Sequence, residues 1–113
     1  MIYQVRPADL TAWFDTVRAH GAPVVLDVRE PSELRVARIQ ADGFELVTIP
    51  MGMIPSRLDE LKPEQPVACL CHHGVRSMQV ANFLIARGFA HVANIAGGIN
   101  AWSNEQDASV PRY

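Results

Sequence analysis

The chain has 113 residues, 49% of them hydrophobic and 19% charged, which suits one globular domain and is too apolar for a disordered chain. Ten basic against 12 acidic side chains leave a formal net charge of −2, so there is no broad positive field for a polyanion and a nucleic-acid partner is not expected. Gln4, Arg6 and Asp9 interrupt the start of the chain, which therefore reads neither as a membrane span nor as a secretory leader, and the cytoplasm is the expected location.

Taken in order, Leu10, Trp13, Phe14 and Val17 follow the i, i+3, i+4, i+7 spacing of an amphipathic helix, with Pro7 near its start and His20-Gly21 at its end. Val24 to Val28 is a short β-branched run bounded by Pro23 and Arg29-Glu30-Pro31, the pattern of a strand buried on both faces. A helical turn is expected over Ser32 to Ala37, and a strand at Leu46 to Ile49 that Pro50 terminates. Ile54, Leu58 and Leu61, with Pro55 at a first turn, predict a short second helix. Val67 to Leu70 reads as another buried strand. Val80, Ala81, Leu84 and Ile85 then line a longer helix that Gly88 stops. Val92 to Ile95 is the last predicted strand; Gly97-Gly98 leads into a short helical stretch with Ile99 and Trp102, and the polar tail from Ser103 is expected to be loosely held.

Strands alternating with helices predict an α/β fold with a parallel sheet covered on both faces. In such sheets functional groups collect beyond the carboxyl ends of the strands. Those ends here carry Asp27-Val28-Arg29, the segment from Cys71 to Ser77, and Ala96-Gly97-Gly98.

The segment Cys71-His72-His73-Gly74-Val75-Arg76-Ser77 places a cysteine at the end of a strand and a helix start a few residues later. Free N–H groups at a helix start favour a negative charge at their focus, and Gly74 permits the positive φ that a ring-like turn needs. Cysteines in such places, beside cations such as Arg76, are stabilised as thiolates, so Cys71 is expected to be ionised at neutral pH. The loop holds Arg76 and two histidines and no carboxylate, which predicts a locally positive pocket for small anions.

Cys69 and Cys71 are too few and too close for a disulfide framework, and both thiols are expected to stay reduced. Two residues apart on one strand they would be separated by about 6.6 Å, whereas a disulfide brings Cβ atoms to about 4 Å. Cys69 reads as a core residue, and Asp27 and Arg29 as an ion pair at a strand end that supports the site. Cys69, Cys71, His72 and His73 match no closed zinc pattern, and no metal is expected.

Four segments in this order, Leu26-Asp27-Val28-Arg29-Glu30-Pro31-Ser32-Glu33, Ile49-Pro50-Met51-Gly52, Cys71 to Ser77, and Gly97-Gly98-Ile99-Asn100-Ala101-Trp102, resemble the rhodanese family of sulfurtransferases in its single-domain form. The resemblance implies one domain over residues 1–113, with a central parallel sheet of roughly five strands. It implies a Cys71 that accepts a sulfane sulfur from thiosulfate or a persulfide and passes it to cyanide or a thiol, a thiol on another protein included, without a cofactor. The loop from His72 to Ser77 would bind the donor through its backbone amides, with Arg76 on the donor anion and Ser77 on the sulfur. Many members place histidine where this chain has Thr48. Related phosphatases carry five residues between cysteine and arginine, whereas Cys71 and Arg76 have four between them, a ring that suits sulfur better than phosphate. A phosphatase or arsenate reductase and a non-catalytic binding module are the competing readings.

Overall fold

The short, mainly apolar runs at Val24–Asp27, Val67–Leu70 and Val92–Ile95 are buried at every position, as strands covered on both faces must be. In the computed structural model, which describes residues 2–113, they form the centre of one sheet. Numbered along the chain, the strands are β1 (Tyr3–Val5), β2 (Val24–Asp27), β3 (Glu45–Thr48), β4 (Val67–Leu70) and β5 (Val92–Ile95). Their order is β1-β5-β4-β2-β3, all pairs parallel, so β4 lies in the middle. The helices are α1 (Leu10–Val17), α2 (Pro31–Val36), α3 (Val75–Ala86) and α4 (Gly98–Glu105).

Alternate residues of each strand feed two separate cores. Val24, Leu26, Val67 and Cys69 pack with Val80, Ala81 and Leu84 of α3 on one face. Val25, Ala68, Leu70, Ala93 and Ile95 pack on the other with Leu10 and Phe14 of α1 and Ile99 and Trp102 of α4. This is the predicted α/β fold with helices on both faces. Side chains such as Leu26 and Leu84, with no exposed surface, each contribute about 1.5–3 kcal/mol by burial. No helix among the described residues is long and apolar enough to cross a membrane.

Three elements differ from the sequence reading. The edge strand β1 was not expected, because only Val5 of its three residues is buried and no alternation can show over so short a span. The helix expected around Ile54 to Leu61 is instead two 3-10 turns, Met51–Met53 and Leu58–Glu60. Pro55 has no N–H to donate into an α-helical ladder, and Pro50 and Pro63 bound the segment. Ile54 and Leu61 still reach the core, which is why their spacing resembled a helix.

The tail expected to be loose is tied down. Ser103 lies inside α4, and its hydroxyl donates to Val110 O at 2.7 Å; both residues are buried. Trp102 O accepts from Gln106 N and Asp107 N, closing the helix end. Beyond it the chain carries Tyr113 back to the carboxyl edge of the sheet, where its hydroxyl donates to Glu33 at 2.7 Å.

Candidate active site

β4 ends at Leu70, so Cys71 is the first residue past the central strand, with only 1% of its surface exposed. Gly74 adopts φ +106°, and this left-handed step turns its N–H onto Cys71 Sγ at 3.0 Å. α3 starts at Val75, so the N–H groups of Val75, Arg76 and Ser77 have no carbonyl one turn earlier to bond and lie at the positive end of the helix.

The loop carbonyls are held by α4. Ile99 N donates to Cys71 O at 2.9 Å and Asn100 N to His72 O at 3.2 Å. That seating requires glycine at 98, which sits at φ +59° and where a Cβ would land on the carbonyl oxygens of Cys71 and His72. The Gly97-Gly98 pair is thus the means by which one helix start abuts the loop that precedes another.

Ser77 is fully buried, and its Oγ lies 3.2 Å from Cys71 Sγ. On its other side it donates to Asn94 Oδ1 at 2.5 Å. Asn94 Nδ2 donates to Gly74 O at 3.2 Å and to Gln4 Oε1 at 3.0 Å. Sequence reasoning named Cys71, Gly74 and Ser77 and missed Asn94 and Gln4. The available signal was a carboxamide in the buried strand Val92–Ile95, since a buried polar group must find partners.

Arg76 departs from expectation. Its two terminal nitrogens lie 2.6 and 2.8 Å from Glu33 of α2, so the loop's cation is already neutralised by a carboxylate from a distant segment. The arrangement is a neutral ion pair beside the loop rather than a free positive pocket. The Arg76 guanidinium, helped by Glu30 N–H and the Tyr113 hydroxyl, holds the Glu33 carboxyl at about 2 against the opposing effect of burial. A capping box shared with Glu30, and Pro31 at the first turn, fix α2 so that Glu33 points there.

His72 and His73 stack on each other with centroids 3.9 Å apart, and the Tyr113 ring lies on His72 at 3.8 Å and 8°. Burial, with the nearby His73, lowers the His72 pKa and favours the neutral imidazole. His73 is exposed, and Val75 is 70% exposed on the outside of the loop. Asp27 and Arg29 form a buried two-pronged ion pair, at 2.9 and 2.7 Å, and Arg29 Nη1 also donates to Ala37 O, Glu33 O and the Tyr113 hydroxyl. They brace the edge of the site without a hydrogen bond to Cys71. Burial pushes the Cys69 thiol strongly up, leaving it a neutral core residue.

A buried cysteine at the carboxyl end of a central parallel strand, ringed by a helix start and propped by a double-glycine turn, also defines a class among known proteins. The chain belongs to the rhodanese-like domain family, whose model matches residues 7–105. It is 35% identical over 80 residues to a sulfurtransferase of Allochromatium vinosum, covering 71% of each chain. To the thiosulfate sulfurtransferase GlpE of Actinobacillus pleuropneumoniae it is 34% identical over 91 residues, 80% of this chain and 79% of that one. A chloroplastic rhodanese-like/PpiC domain-containing protein of Arabidopsis thaliana is 42% identical over 91 residues, and there the match spans only 30% of the relative. Among solved structures, a rhodanese-related protein of Thermoplasma volcanium superposes with a TM-score of 0.74 at 30% identity, covering 92% of this chain and 93% of that one.

Proposed function

We propose that Cys71 is the nucleophile of a sulfurtransferase that carries a sulfane sulfur as a persulfide. The observation that carries this reading is the Gly74 N–H on Cys71 Sγ at 3.0 Å, beside the unpartnered first amides of α3. Backbone amides held in place before reaction stabilise negative charge on sulfur, which is the requirement for nucleophilic catalysis that begins and ends on an anion.

In the first half, the Cys71 thiolate attacks the outer sulfur of thiosulfate. The Sγ–S bond forms as the sulfur–sulfur bond of the donor breaks, and sulfite leaves with that electron pair. A persulfide donor reacts in the same way and leaves as a thiolate. In the second half, cyanide or an acceptor thiolate attacks the outer sulfur, and the Sγ–S electron pair returns to Cys71. The relatives whose names state a sulfurtransferase or thiosulfate sulfurtransferase activity support this chemistry, as does the four-residue spacing from Cys71 to Arg76. No step calls on a metal or an organic cofactor.

A phosphatase is the second reading, because one structural neighbour, from Rhodopseudomonas palustris and 26% identical, bears a title that includes a possible tyrosine phosphatase. Glu33 disfavours it here, since a phosphate dianion must displace that carboxylate from Arg76. The test compares thiosulfate-to-cyanide transfer with hydrolysis of an aryl phosphate. Transfer that is lost in Cys71→Ser supports the proposal; hydrolysis without transfer overturns it.

A further inference from the structure

Asn94 is an anomaly in the sequence of β5, a carboxamide only 2% exposed in a strand buried at every position. Its orientation is decided by Gly74 O. A main-chain carbonyl only accepts, so the Asn94 group 3.2 Å from it must be the amide nitrogen, which also serves Gln4 Oε1 at 3.0 Å. Oδ1 is thereby turned to Ser77 Oγ at 2.5 Å. Oδ1 only accepts as well, so the single hydroxyl proton of Ser77 lies on Asn94, and the lone pairs of Ser77 are left facing Cys71 Sγ at 3.2 Å.

We infer that Asn94 is a positioning residue for Cys71, competing with the sulfur for the one proton of Ser77. While Cys71 is a thiol, its S–H donates to Ser77 Oγ and every group in the chain is satisfied. When that proton leaves to water, a thiolate faces hydroxyl lone pairs unless the Ser77 O–H swings from Asn94 Oδ1 to Sγ. The swing strips a buried carboxamide oxygen of its donor. Ionisation of Cys71 is therefore coupled to a rotation of Ser77, and Asn94 opposes it. On the proposed persulfide chemistry, which this inference deepens, charge moves from Sγ to the outer sulfur once sulfur is bound, and the hydroxyl returns to Asn94. The rotor would thus turn in each half-reaction.

The other titratable groups around Cys71 are Arg76 of α3 with its partner Glu33 of α2, His72 and His73 in the loop, Cys69 of β4, and the Asp27–Arg29 pair with Tyr113. All are unchanged in the variants below, so their fields cancel in the comparison.

The test is the pH profile of iodoacetamide alkylation at Cys71, read by peptide mass, in wild type, Asn94→Ala, Ser77→Ala and the double variant. Asn94→Ala frees Ser77 to donate to the sulfur, so the profile moves to lower pH and alkylation on its acidic limb rises roughly three- to tenfold, the worth of one hydrogen bond. In the Ser77→Ala background the same change at Asn94 leaves the profile where it was. A profile that stays put in the first comparison, moves upward, or moves equally in both backgrounds overturns the inference; equal movement means Asn94 acts through Gly74. Should Asn94→Ala not fold, the wild-type protein suffices. The Asn94 carboxamide resonances must then titrate together with Cys71 alkylation and be flat in Ser77→Ala, and resonances indifferent to pH in wild type overturn it. Alkylation needs no sulfur transfer, so failure of the persulfide chemistry would show separately, in transfer assays.

Discussion

Glu33 grips Arg76 through both terminal guanidinium nitrogens, at 2.6 and 2.8 Å, and so fastens the start of α3 to α2. The loop around Cys71 is thereby braced from one side by an ion pair and from the other by the first turn of α4. Arg76 is held in place by this pair and is free to meet a donor anion only by sharing or exchanging its partner.

Replacing Glu33 with Gln removes the pair, and the cost in stability is about 1 kcal/mol, modest because a third of Arg76 is in water. The sign of the pH dependence follows from the Glu33 carboxyl, which titrates at about 2 in the folded protein and near 4.3 when unfolded. Its contribution is complete above the unfolded value and disappears as pH falls through the folded one. Urea midpoints of wild type and Glu33→Gln are expected to differ at neutral pH and to converge as pH falls from about 4 toward 2. The freed Arg76 should also lower KM for thiosulfate; an unchanged KM would mean that Arg76 does not meet the donor.

Gly98→Ala tests the seat between α4 and the loop. A Cβ there collides with the carbonyl oxygens of Cys71 and His72, and the residue sits at φ +59°. The loss is expected to reach at least about 2 kcal/mol, since neither backbone oxygen can move aside cheaply. Thermal melts give the stability, and transfer activity should fall further than the folded fraction does, because Cys71 moves with its carbonyl.

Tyr113 lies flat on His72 and hydrogen-bonds Glu33, covering the loop. Tyr113→Ala should speed alkylation of the nearly inaccessible Cys71 at a stability cost of about 1 kcal/mol. Tyr113→Phe keeps the stack, and its alkylation rate should stay close to that of wild type. Equal rates in all three proteins would show that the ring does not restrict access to the sulfur.

Cys69 provides the contrast. It is buried in the sheet with its thiol pushed up by burial, so Cys69→Ala should lose about 1–2 kcal/mol of stability by truncation and keep sulfur transfer. Loss of transfer in a folded Cys69→Ala protein would assign it a part in the reaction.

The central strands and the loop were legible because each is a local signal. Val67 to Leu70 is a short apolar run, Gly74 marks a positive φ, and Val80, Ala81 and Leu84 repeat at helical spacing. Tyr3–Val5 was not legible, because an edge strand of three residues with one buried side chain carries no period. Ile54 and Leu61 misled by spacing alone, since the prolines around them set the backbone. The partners of the loop were hidden for another reason. Glu33 is 43 residues from Arg76, Asn94 is 17 from Ser77, and Gln4 is 90 from Asn94, so only the fold brings them together. Tyr113 likewise sat in a polar tail whose packing depends on Ser103 and Val110.

Covalent chemistry at one sulfur is the core of the proposed activity, and intact-protein mass spectrometry after incubation with thiosulfate tests it most directly. One added sulfur is expected, located by fragmentation on Cys71, removed by cyanide and missing from Cys71→Ser. An unchanged mass in wild type, or an added sulfur that resides on Cys69, would contradict it.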